Sequence, residues 1–112
     1  MVTVNTGRIA ESQVAEHLQA TGYEILDRNW RTKVCEIDIV AKNGRTVYMV
    51  EVKYRRGDQQ GEGFDYITQS KLKRMAFSAE VWVQSHSWEG DYRLLVASVD
   101  GKSGGITLLP VE

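Results

Sequence analysis

One cysteine, one proline and two histidines are all that 112 residues hold of three residue types that often announce a function. The lone Cys35 excludes an internal disulfide framework and removes the usual cysteine-rich zinc patterns. His17 and His86 are too few for most all-histidine metal sites. A single proline and no low-complexity tract argue against long disordered segments, and no internal repeat is visible. Long apolar runs are missing too, since none approaches the ~18–20 residues needed to cross a bilayer. The opening MVTVNTGRIAE has no basic stretch followed by an apolar one, so no secretory signal is expected and a cytoplasmic location is the default.

What is present fits one domain spanning 1–112, large enough for a hydrophobic core and too small for two. Apolar residues make up 42% and charged residues 26%, the balance of an ordinary globular chain. The net charge of −1 does not by itself suggest a polyanion partner. Its distribution is more informative. Residues 28–74 hold eleven Lys/Arg against six Asp/Glu, whereas the flanks hold three against nine. Such asymmetry can mark an anion-binding face.

Periodicity predicts a first helix over 6–21, with Thr6 as N-cap and Gly22 as its stop. Its apolar stripe runs through Val14, Ala15 and Leu18, and Glu11 falls on the same stripe. Strands are predicted at 23–30, 34–42, 46–54, 92–99 and 105–111, the last with Pro110 suited to an edge. Asn43-Gly44 reads as a type I′ hairpin turn, and residues 55–64, rich in glycine, read as a mobile loop. A second helix is predicted from Gln69 to Ser85, capped by Thr68, burying Leu72, Met75, Ala76, Ala79 and Val83. Cys35 reads as a small buried side chain, His17 and His86 as surface or loop residues, and Trp30, Trp82 and Trp88 as core or rim. The order is αβββαββ, a mixed α/β fold.

Two of the strands carry charges where a core strand should carry none. In VEVK, Glu51 and Lys53 share a face. In CEIDIV, Glu36 and Asp38 lie on the face of Val40, opposite Cys35, Ile37, Ile39 and Ala41. A turn centred on Asn43-Gly44 pairs 42 with 45 and 38 with 49. Asp38 and Glu51 then become diagonal neighbours, roughly 7–8 Å apart at Cα. Two such carboxylates repel unless a cation lies between them. Mg²⁺ or Mn²⁺ meets that need, keeping waters and borrowing phosphate oxygens. Lys53 can hold a phosphate oxygen or orient a water, and Glu11 can add a third acid. This is an arrangement for phosphodiester hydrolysis.

At these residues the sequence resembles a known family. CEIDIV followed by VEVK is similar to the PD-(D/E)xK nuclease superfamily. GRIAE, GYEILDRNWR, EIDIVAKNG and MVEVKYRR resemble the YraN family of predicted endonucleases, related in fold to archaeal Holliday-junction resolvases. The resemblance runs from about Gly7 to Val99. It implies a restriction-endonuclease-like αβββαβ core, a central mixed sheet flanked by helices. It also implies a Mg- or Mn-dependent endonuclease acting on nucleic acid, DNA and branched DNA among the substrates, with a homodimer as one possible assembly. Glu11 matches the helix acid, Asp38 the strand acid, and Glu51 and Lys53 the E-x-K pair. Asp38, Glu51 and Glu11 would serve as metal ligands. Arg8 and Lys71 match basic positions, and Arg55, Arg56, Lys73 and Arg74 are further candidates for backbone contacts. Cys35 and Ala10 stand where the family usually has glycine. Leu72 stands where a glutamine often follows the lysine, and Leu95 replaces an aspartate.

Other readings share these residues. Glu51 and Lys53 alone would also suit a structural ion pair or an edge-strand device against aggregation. The charged helix face of Lys71, Lys73 and Arg74 would also suit solvent. A non-catalytic nucleic-acid-binding module on the same fold, and a structural or protein-interaction domain, are the alternatives.

Overall fold

The computed structural model describes residues 4–55 and 67–111. The elements follow in the expected order: α1 (Val4–Ala20), β1 (Glu24–Arg31), β2 (Glu36–Asn43), β3 (Thr46–Arg55), α2 (Gln69–Ser85), β4 (Asp91–Asp100) and β5 (Ile106–Val111). The five strands form one mixed sheet in the order β1-β2-β3-β4-β5. Every neighbouring pair is antiparallel except β3 and β4, which run parallel. A parallel pair needs a crossover, and α2 supplies it.

Each helix covers one face of the sheet. Ala10, Val14, Ala15 and Leu18 of α1 pack with Ile39, Ala41, Val50, Leu95, Ala97 and Val99. Ala79 and Trp82 of α2 pack with Ile37, Val40, Val47 and Met49, and Trp30 and Trp88 border that cluster. Pro110 lies in β5, an edge strand, the place in a sheet that tolerates a residue without an N–H.

Helix ends follow local chemistry. Gly22, at φ 103°, terminates α1. Its N–H donates to the Gln19 carbonyl at 3.2 Å, and the Tyr23 N–H donates to the Leu18 carbonyl at 2.9 Å. These two bonds make a Schellman motif, which glycine favours. Thr68 caps α2, its hydroxyl accepting from the Lys71 N–H at 3.1 Å. Thr6 is not a cap, because α1 already begins at Val4.

Four further expectations are corrected. The β2–β3 turn is centred on Gly44-Arg45, since Asn43 pairs with Thr46. Gly44 takes φ 64° and Arg45 is not left-handed, which fits the Gly-X preference of a type II′ turn. The stripe of α2 is rotated, burying Ser78, Ala79 and Trp82 while Ala76 is exposed. Trp82 is drawn inward because its indole N–H finds the Asp27 carboxylate at 2.8 Å. Cys35 is half-exposed and precedes β2 instead of lying buried within it. Arg55 ends β3 instead of opening a loop. From Arg56 on, the loop expected over 55–64 lies outside the described residues. Among the described residues no helix is long and apolar enough to cross a membrane.

Candidate functional site

The corrected turn shifts the β2–β3 register by two residues, so faces are kept but partners change. Val40 pairs with Met49 and Ile39 with Val50, where the ladder ends. One step beyond, a continued register would bring Asp38 level with Glu51 and not diagonal to it, but no β2–β3 pair forms there.

Alternation along β2 slips at this level. Ile39 and Ala41 pack on the α1 side and Val40 on the α2 side, yet Ile37 also packs on the α2 side. The neighbouring strand slips with it. Arg28 pairs with Ile39 and Trp30 with Ile37, which puts Asn29, at φ 51°, level with Asp38. Asp38 uses its side chain where a ladder would use a carbonyl, accepting the Val52 N–H on Oδ2 at 2.8 Å. The sheet opens there.

A cleft of about 580 Å³ occupies the opening. Asp38 and Glu51 lie in its wall with Glu36, and α2 contributes Lys71, Arg74, Met75 and Ser78. Arg31 at the end of β1 and Thr32, Lys33, Val34 and Cys35 of the β1–β2 connection close the other side. Lys71 Nζ meets Glu51 Oε2 at 3.0 Å. Burial pushes the Asp38 carboxyl up from 3.8 to about 7; the Val52 amide opposes the rise, and the fields of Glu51, Glu11 and Glu36 add to it.

The remaining candidates spread around this cleft. Glu11, on α1, lines an adjoining cleft of about 710 Å³ with Gly7, Arg8, Ser12, Arg28, Asn29 and Arg31. Arg31 walls both clefts. Lys53 is half-buried, level with Ser98 of β4, and is not among the described residues that wall the Asp38 cleft. Lys73 is exposed and also outside that wall. Arg55 lies level with Asp100, whose carboxyl is held low chiefly by the Lys102 amide, with Arg55 contributing. Arg56 lies outside the described residues. Among the described residues, no three His, Cys, Asp or Glu side chains gather closely enough to hold a metal ion. Any divalent ion here would rest on the Asp38–Glu51 pair, a donor set suited to Mg²⁺ because that ion keeps most of its waters.

Sequence reasoning missed the β1–β2 connection as a wall of the site, and Arg31 as the link between the clefts. Their excess charge within 28–74 was the available signal. It also missed the ring cluster on the α2 side of the sheet. His86 caps the C-terminal end of α2 and stacks on Trp82 at 4.1 Å and 14°. Its Nε2 lies 3.4 Å from Asp27 Oδ2.

A mixed α/β sheet between two helices, opening at a cleft walled by two carboxylates, defines the class of protein. Within it, the chain belongs to the family described as Uncharacterised protein family UPF0102, which matches residues 10–99 and is the YraN family of the sequence motifs. A UPF0102 protein of Pseudomonas fluorescens is 39% identical over 102 residues, covering 89% of this chain and 83% of the relative. One from Methylococcus capsulatus is 36% identical over 100 residues, covering 89% and 81%. One from Vibrio campbellii is 33% identical over 96 residues, covering 83% and 79%.

Proposed function

We propose that this chain is a metal-dependent nuclease of the PD-(D/E)xK type, hydrolysing phosphodiester bonds in nucleic acid, DNA foremost. One observation carries the reading. Asp38 and Glu51 follow directly on the last β2–β3 pair and share a cleft with Lys71 and Arg74. The raised pKa of Asp38 reports a carboxylate under burial and negative charge, which a cation would relieve.

Mg²⁺ or Mn²⁺ held by Asp38 and Glu51 would neutralise phosphate charge and acidify a water. The chain's own residues do the rest. Lys71 and Arg74 attract the phosphate backbone into the cleft, contacts that position a polyanion without reading its sequence. Lys53, two residues beyond Glu51, steadies the scissile phosphate or the attacking water. Glu11 acts from α1 through the electric field it already exerts on Asp38. Arg8 extends the backbone contacts along the neighbouring cleft.

Titration of Mn²⁺ into wild-type protein beside folded Asp38→Asn and Glu51→Gln variants tests the reading. Saturable binding that weakens in both variants, with metal-dependent nicking of plasmid DNA by the wild type alone, is expected. A second reading has its own support. Glu51 is engaged by Lys71 at 3.0 Å and, among the described residues, no third acid is close enough to share a metal ion with the pair, as suits a nucleic-acid-binding module without cleavage. Salt-sensitive DNA binding with no metal binding would select it.

A further inference from the structure

The β1–β2 connection has a fixed tip. The Thr32 N–H donates to the Cys35 carbonyl at 2.8 Å. The Thr32 hydroxyl accepts from the N–H groups of Val34 and Cys35 at 3.1 and 3.2 Å. A hydroxyl that takes two amides of its own loop holds that loop in one shape. On this tip Val34 is 73% exposed, the most exposed large apolar side chain among the described residues.

A scattered surface valine needs no account. Val34 is not scattered. It stands beside Lys33 and three residues from Arg31, and all three wall the cleft that holds Asp38 and Glu51. Lys71 and Arg74 face them from α2, and Arg31 continues into the cleft of Arg8 and Arg28. The cations therefore make a track that passes beside the tip. A phosphate backbone lying on that track brings its bases to the level of the valine. Apolar side chains so placed act as wedges between base steps, and the wedge costs least where bases are already unpaired.

We propose that the β1–β2 tip is a base-unstacking wedge, with Val34 entering between bases while Arg31, Lys33 and Arg74 hold flanking phosphates. The substrate class it selects is nucleic acid with unpaired bases beside a duplex, in preference to continuous duplex. The proposal rests on the nucleic-acid part of the reading above and is independent of the metal.

The test is binding in EDTA to two oligonucleotides carrying 2-aminopurine, one fully paired and one with the probe at a duplex–single-strand boundary. Wild type is expected to prefer the boundary by roughly tenfold and to raise its 2-aminopurine emission. Val34→Ser should lose the preference and the emission change while keeping its affinity for the paired duplex, and Val34→Ile should restore both. Val34 is solvent-exposed, so both variants should fold, and near-ultraviolet circular dichroism checks this. Equal binding of the two oligonucleotides by wild type, or a preference retained in Val34→Ser, overturns the wedge and leaves the nuclease reading standing. Absence of binding to either in EDTA overturns the wedge, and absence again with Ca²⁺ added overturns the nucleic-acid reading as well.

Discussion

Glu51 of β3 and Lys71 of α2 meet at 3.0 Å across the mouth of the cleft. The contact ties the E-x-K strand to the first turn of the second helix, and it puts an ammonium against a carboxylate proposed to bind metal. Ammonium and metal compete for the negative charge of that carboxylate. Lys71→Met is therefore expected to raise Mn²⁺ affinity by about three- to tenfold, because a competing charge is gone. DNA binding should weaken in the same variant. The pair is only about a quarter exposed, so leaving Glu51 without its ammonium should also lower stability, by roughly 1–3 kcal/mol. Parallel Mn²⁺ titration, DNA binding and urea denaturation read all three.

The raised pKa of Asp38 gives a sign to the pH dependence of folding. Its carboxyl holds a proton in the folded chain up to about pH 7, chiefly through burial, against 3.8 ordinarily. Between those values the folded state binds more protons than the unfolded one. Stability therefore falls as pH rises through that window and the loss is complete above it. The loss is on the order of a few kcal/mol. In EDTA, the stability difference between Asp38→Asn and wild type should grow in the variant's favour from roughly pH 4 to 7. Asparagine keeps an oxygen for the Val52 N–H and carries no charge. Urea melts across that range measure the difference, and a flat difference would contradict the assignment.

How much of this was legible in the chain depends on how local each signal was. Gly22 and Thr68 announce helix ends through bonds to residues within five positions, and both ends are where the sequence puts them. The order of elements was equally readable, since each periodic run is its own evidence. The register was not. Asn43-Gly44 and Gly44-Arg45 are both acceptable turns, and the sheet takes the second, which shifts every β2–β3 pair, so that Ile39 meets Val50 and Val40 meets Met49. The slip at Asp38 was invisible because it depends on a neighbouring strand bending at Asn29. The rotation of α2 likewise rests on a bond between Trp82 and Asp27, 55 residues apart.

That bond supports a prediction confined to stability. Trp82 is 3% exposed, and its indole N–H donates to Asp27 Oδ2 at 2.8 Å. Trp82→Phe keeps a ring beneath His86 but leaves a half-buried carboxylate short of a donor. The cost should be about 1–3 kcal/mol, the price of an unsatisfied polar group. Asp27 lies behind the sheet from the α1-side cleft and does not wall the Asp38 cleft, so Mn²⁺ titration of the variant should match wild type. Thermal denaturation and the titration together separate the two effects.

Gly22 isolates a purely conformational term. At φ 103° it occupies backbone space that residues with a Cβ rarely adopt, and a Cβ added there would meet nothing within 4 Å. Gly22→Ala thus removes no contact and creates no clash. Its cost comes from the strained dihedral alone and should be about 1–2 kcal/mol. Loss of the turn would instead release the Tyr23 N–H from the Leu18 carbonyl and unseat the end of α1. Leu18 is fully buried in the α1 cluster, so that outcome would expose core surface in the folded state and lower the urea m-value along with the midpoint. A midpoint shift at constant m-value is the expected result, because the Schellman bonds can form in the strained conformation.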